Sequence, residues 1–293
     1  MINRLKGLGV AVITPFLQNG EIDFISLEKI IDNLIQNEVD YLVALGTTSE
    51  SPTLSDEEKK NVVKAIVKVT DARVPVLMGL GGPSTHDVVY KMTHDDFTGI
   101  DAILSVTPYY NRPSQDGLYE HYKELAYFSP LPIIMYNIFS RTSCNLEPET
   151  TLRIANDFDK IIGVKEASGN MNQIMKLIKH KPDNFLVISG DDAVTLPLMA
   201  AGIDGVISVV ANAYPQKMAD MVHLAFENRF AEALAHHLDL LDITQACFKE
   251  GSPAGIKAVM AIQGKIEYYL RLPLTRVSLP LQMQIKELVA DLI

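Results

Sequence analysis

The chain has 293 residues, 47% of them hydrophobic, and a formal net charge of −10. That length can bury a large core, either as two ordinary domains or as one α/β barrel of roughly 250 residues with an extension. The acidic balance argues against a nucleic-acid partner, which needs a basic face, and against an anionic membrane surface.

The opening segment MINRLKGLGVAVITPF has neither a long apolar core nor a small-residue cleavage site. No apolar run approaches the roughly 18 residues of a membrane span. From there, short apolar runs recur at even intervals: 8–16, 39–48, 74–81, 101–110, 131–138, 161–169, 185–192 and 205–212. They are near-continuous in Val, Ile and Leu, as strands covered on both faces are. Helical periods lie between them. In SLEKIIDNLIQNEV, Ser26 is the expected cap and Ile30, Ile31, Leu34 and Ile35 form one stripe. SDEEKKNVVKAIVKV opens on Ser55 and three acids, which suit a helix N-terminus. SQDGLYEHYKELAYF and EPETTLRIANDF have the same form.

Eight strands alternating with helices predict a (β/α)8 TIM barrel over residues 1–224. An open doubly wound sheet is the alternative, though it more often stops at fewer strands. After residue 212 the pattern is helical only, which predicts a C-terminal helical extension over 225–293. Cys144 and Cys247 make no disulfide framework and read as free thiols in a reducing, cytoplasmic compartment.

The C-terminal ends of barrel strands form the active-site face, so polar residues there carry the interest. The second run ends in Thr47 and Thr48, the fourth in Tyr109 and Tyr110, the fifth in Tyr136 and Asn137 with Arg141 close behind, the sixth in Lys165, and the seventh in Gly190, Asp191 and Asp192. Each has an ordinary reading alone: an ion-paired lysine, turn threonines, half-buried tyrosines, a helix-capping aspartate. For Lys165 the ordinary reading is an ion pair with Glu166. Neighbours on a strand face opposite sides, which speaks against it.

Together the set suits carbonyl chemistry. Desolvation favours a neutral lysine amine, which attacks a ketone to form a Schiff base; hydroxyls move the protons; an arginine grips a carboxylate. The seven histidines include no His-x-x-x-His pair, so no zinc site is expected. GLGG at 79–82 lacks the full dinucleotide spacing and reads as a tight turn.

GTTSESPTLSDEE, TPYYNRPSQDGLYEHY, YNIFSRTSCNL, GVKEASG, SGDD and GVISVVAN, in that order over about residues 7–215, resemble the dihydrodipicolinate synthase family. That family is the lysine-pathway branch of the pyruvate-dependent aldolases. The resemblance implies condensation of pyruvate with L-aspartate 4-semialdehyde to 4-hydroxy-tetrahydrodipicolinate. It makes Lys165 the Schiff-base lysine and Tyr136 the general acid/base. Thr47 and Tyr110 complete a proton relay, with Tyr110 supplied by the neighbouring subunit of a tight dimer. Thr48 and the backbone of Ile207 hold pyruvate's carboxylate, and Arg141 binds that of the semialdehyde. It further implies a cytoplasmic lyase with no cofactor or metal beyond the covalent Schiff base. The implied assembly is a homotetramer of two tight dimers. The sequence departs from the family's pattern at Ser49, Phe139 and Ser143, and at Asp56, Lys59 and Pro83 of the inferred lysine-effector site.

Two other readings compete. One is a different lysine aldolase, such as a sialic-acid or 2-keto-3-deoxy-sugar-acid lyase, against which Arg141 stands. The other is a binding barrel that has lost its chemistry, against which the intact set of Lys165, Tyr136, Thr47 and Tyr110 stands.

Overall fold

A computed structural model describes residues 2–292 of the chain. In chain order it runs β1 (Gly7–Ala11), α1 (Phe24–Gln36), β2 (Tyr41–Ala44), α2 (Asp56–Thr70), β3 (Val76–Gly79), α3 (Thr85–His94), β4 (Ala102–Val106), α4 (Gln115–Phe128) and β5 (Ile133–Asn137). It continues through α5 (Phe139–Thr142), α6 (Pro148–Asp157), β6 (Ile161–Glu166), α7 (Met171–His180), β7 (Leu186–Ser189), α8 (Thr195–Ala201) and β8 (Gly205–Ser208). Four helices follow: α9 (Pro215–Phe226), α10 (Phe230–Lys249), α11 (Ala254–Ile262) and α12 (Leu279–Asp291). The eight strands are parallel and close in sequence order, β8 pairing with β1, so the expected barrel is present and the open sheet is excluded.

Strand alternation sorts the apolar residues into two layers. Val43, Leu104, Ile134, Ile162, Ile188 and Ile207 fill the barrel interior. Leu42, Ala44, Met135, Val164, Val187 and Val206 face the surrounding helices. Strand β6 breaks the simple alternation. Ile133 pairs with Ile161, yet Ile134 pairs with Gly163, so β6 holds one extra residue there. Such a bulge re-phases everything after it. Ile162 and Lys165 are three apart and would face opposite ways on a regular strand; the bulge turns Lys165 to the interior.

Local signals explain most helix starts. Ser55 caps α2 in a full capping box with Glu58, and Ser114 caps α4. The expectation for α1 is corrected. Asp23, not Ser26, is the cap, and it accepts the Ser26 N–H at 3.0 Å. Aspartate is as good a cap as serine, and starting there extends the helix by three residues.

The apolar runs overstate the strands. β1 ends at Ala11, β2 at Ala44, β4 at Val106 and β7 at Ser189. Thr47–Ser49 is a separate 3-10 turn beyond β2. Cys144 and Cys247 are both buried and unbridged. Among the described residues no helix is long and apolar enough to cross a membrane.

Candidate active site

β5 and β6 lie side by side with Tyr136 opposite Lys165 and Asn137 opposite Glu166. The first pair points into the barrel mouth and the second pair outward. Lys165 is buried, and its Nζ stands 4.4 Å from the centroid of the Tyr136 ring. Burial brings the Lys165 amine down to about 8, against the partial opposition of the Asp192 carboxylate and with a further push from Arg141. Burial raises the Tyr136 phenol to about 12, with Arg141 and the Thr47 hydroxyl pulling the other way. An amine made easier to deprotonate thus sits against a phenol that stays protonated.

Glu166 is not the partner of Lys165. It is buried on the opposite face and accepts the Ser168 N–H at 2.7 Å, the Gln173 amide at 3.0 Å and the Asn137 amide at 3.1 Å. Asn137 in turn accepts the Leu146 N–H at 2.9 Å. The outward pair therefore ties β5 and β6 to the segment after α5 and to α7.

Thr47, Thr48, Tyr136, Arg141, Lys165 and Gly190 line one continuous cavity. Thr48 is buried within the 3-10 turn after β2. Arg141 lies at the exposed rim in the single turn of α5, where its Nη2 donates to the Ser252 carbonyl at 3.0 Å. Ile207 sits on β8 with its side chain sealing the barrel interior. Tyr110 is not brought into the mouth of its own chain. It is 88% exposed and adopts φ 74°, a left-handed conformation rarely taken by tyrosine.

Two residues that sequence reading treated as ordinary belong here. A Cβ at Gly190 would lie 2.9 Å from the Lys165 Cε and 2.7 Å from the Ala167 Cβ, so any larger residue here must displace the lysine side chain or its neighbour. Asp192 is buried rather than a surface acid. Its Oδ2 accepts the Val209 and Val210 N–H groups at 3.0 and 3.4 Å, and its Oδ1 has no partner. Their position after an apolar strand, in SGDD, was the available signal.

Comparison with known proteins agrees with this fold. The profile of the dihydrodipicolinate synthetase family matches residues 4–292. The 4-hydroxy-tetrahydrodipicolinate synthase of Parabacteroides distasonis is 48% identical over 289 residues, covering 99% of this chain and 97% of that one. That of Phocaeicola vulgatus is 47% identical over 277 residues, covering 94% and 93%. The crystal structure of dihydrodipicolinate synthase from Aquifex aeolicus superposes with a TM-score of 0.94 at 38% identity, covering 98% of each chain. A closed parallel barrel with a buried strand-end lysine against a tyrosine, matched along nearly its whole length, leaves one assignment: the chain belongs to the dihydrodipicolinate synthetase family.

Proposed function

We propose that the protein is a 4-hydroxy-tetrahydrodipicolinate synthase, a cytoplasmic lyase that condenses pyruvate with L-aspartate 4-semialdehyde and needs no cofactor. The observation that carries this reading is the buried Lys165 amine against Tyr136, on the inner face of adjacent strands. The neutral amine attacks the keto carbon of pyruvate, and loss of water gives an imine. That imine, protonated, withdraws electrons and a C3 proton leaves, forming an enamine. The enamine carbon attacks the aldehyde of the semialdehyde, and Tyr136 supplies the proton that the new alkoxide takes up. The substrate's own amino group then displaces Lys165 from the imine carbon, closing the ring and freeing the lysine.

Thr48 and the Ile207 backbone hold the pyruvate carboxylate beneath this point. Arg141 at the rim grips the carboxylate of the semialdehyde. Thr47 passes protons between Tyr136 and Tyr110. The outward, left-handed placement of Tyr110 suits a side chain that completes the relay of a neighbouring subunit. The assembly proposed is a homotetramer of two such dimers.

A coupled assay with pyruvate and L-aspartate 4-semialdehyde tests the activity. Borohydride reduction in the presence of pyruvate, followed by peptide mass spectrometry, tests the intermediate: one adduct on Lys165 is expected. An adduct elsewhere, or none, refutes the assignment.

A further inference from the structure

Glu50 and Lys257 form an ion pair in which both side chains are fully sealed from solvent, although they lie 207 positions apart in the chain. Glu50 ends the 3-10 turn that carries Thr47 and Thr48. It holds a left-handed conformation, φ 57°, and its N–H returns to the Thr47 carbonyl at 3.1 Å. Non-glycine residues adopt that conformation at a cost, so something must hold it there. The carboxylate is fixed from two directions. One oxygen accepts Lys257 Nζ and the other accepts the Arg271 N–H at 3.1 Å. Lys257 also donates to the Tyr269 carbonyl at 3.2 Å and lies 4.3 Å from the Phe16 ring centroid. Every one of these partners except Phe16 belongs to the helices and connections after the barrel.

A sealed ion pair is a poor stability device, because taking two charges out of water consumes most of their attraction. What it supplies is direction: a carboxylate with a donor at a fixed place on each oxygen can sit in one orientation only. That direction is imposed one residue after the Thr47–Ser49 turn. We infer that Glu50 and Lys257 are positioning residues through which the C-terminal helices hold Thr47 and Thr48 at the barrel mouth. The inference rests on the roles proposed above for those two threonines. Arg141, by contrast, is held from the same region by a backbone carbonyl, that of Ser252. Changing the ion pair therefore separates the two substrates.

The test is the double variant Glu50→Gln/Lys257→Met, which removes both charges and keeps the volumes. It is expected to melt within a few degrees of the parent. Its pyruvate KM should rise and its kcat fall, each by about tenfold, the scale on which small displacements of positioned groups act. The semialdehyde KM should stay within about twofold. Glu50→Asp retains the charge, shortens the reach by one methylene and should show the same split, which covers the case that the double variant does not fold. Parent pyruvate KM and kcat in either folded variant would overturn the inference, as would an equal rise in both KM values. A parent chain without synthase turnover would overturn the proposed function as well.

Discussion

The reactivity proposed for Lys165 rests on where its side chain ends. Burial lowers the amine to about 8, while Asp192 holds it partly up. A reaction that begins with the neutral amine should therefore accelerate as pH rises through that value. The rate of borohydride-trapped imine formation is expected to climb with a midpoint near 8. In Asp192→Asn, which keeps an acceptor for the Val209 N–H but loses the charge, the midpoint should move down. A midpoint above 9 in the parent, or one that moves up in the variant, would show that another group limits the step. Gly190 makes a second, steric prediction. The methyl of Gly190→Ala would lie 2.9 Å from the Lys165 Cε, so the amine must shift. Displacement of a reacting group by about 1 Å can cost on the order of 100-fold, and imine formation should slow by at least about tenfold in a protein that still folds. Unchanged trapping kinetics would show that the side chain moves aside freely.

Adjacent strands supply the precision that single residues lack. Tyr136 and Lys165 face each other because Asn137 and Glu166 are paired directly behind them. Removing the amide in Asn137→Ala takes one donor from a buried carboxylate and the acceptor from the Leu146 N–H. Leaving buried polar groups unsatisfied costs roughly 1–3 kcal/mol each, so thermal or urea unfolding should show a loss of about 2 kcal/mol or more. A stability equal to the parent's would mean that water replaces the amide. The same pair shows what the sequence made legible. The apolar runs, Ser55 and Ser114, and the strand-end position of Lys165 are local patterns; the barrel followed from them, and the chemistry proposed for its mouth came from the resemblance those motifs carry. The extra residue in β6 was invisible, because a bulge is defined by the partner strand. The α1 cap was misplaced by three residues because Asp23 and Ser26 are equally good candidates from composition. Gly190 and Asp192 stand at a strand end with an ordinary local use each; only the approach of β6 to Gly190 and of the Val209 and Val210 N–H groups to Asp192 gives them another.

At the scale of the whole molecule, two expectations concern surfaces away from the mouth. Tyr110 points out of its own chain. If a neighbouring subunit receives it, mixing inactive Lys165→Ala with impaired Tyr110→Phe should restore activity, since one site of each mixed dimer then holds both native side chains. Random exchange would return about a quarter of the parent activity, as a matter of subunit statistics under two-fold pairing; no recovery after confirmed subunit exchange refutes the sharing. L-lysine should inhibit weakly or not at all. Asp56, the one residue of the three departures that could attract an ammonium, already faces Lys59 at 3.3 Å and Lys91 at 3.6 Å, and Pro83 offers no donor. Half-inhibition below about 1 mM, or roughly −4 kcal/mol of binding, would show that another set of groups receives the effector. The bond between Glu50 and Lys257 also has a consequence in time. Glu50 leaves the ribosome 207 residues ahead of its counter-charge. At about 5–20 residues per second that is a wait on the order of 10–40 s. Through that interval the carboxylate keeps its water, and the turn beside it has only its own internal hydrogen bonds to fix its direction. The remaining six strands of the barrel are all synthesised in that time, but the pocket proposed for pyruvate sets only when the last eighth of the chain arrives.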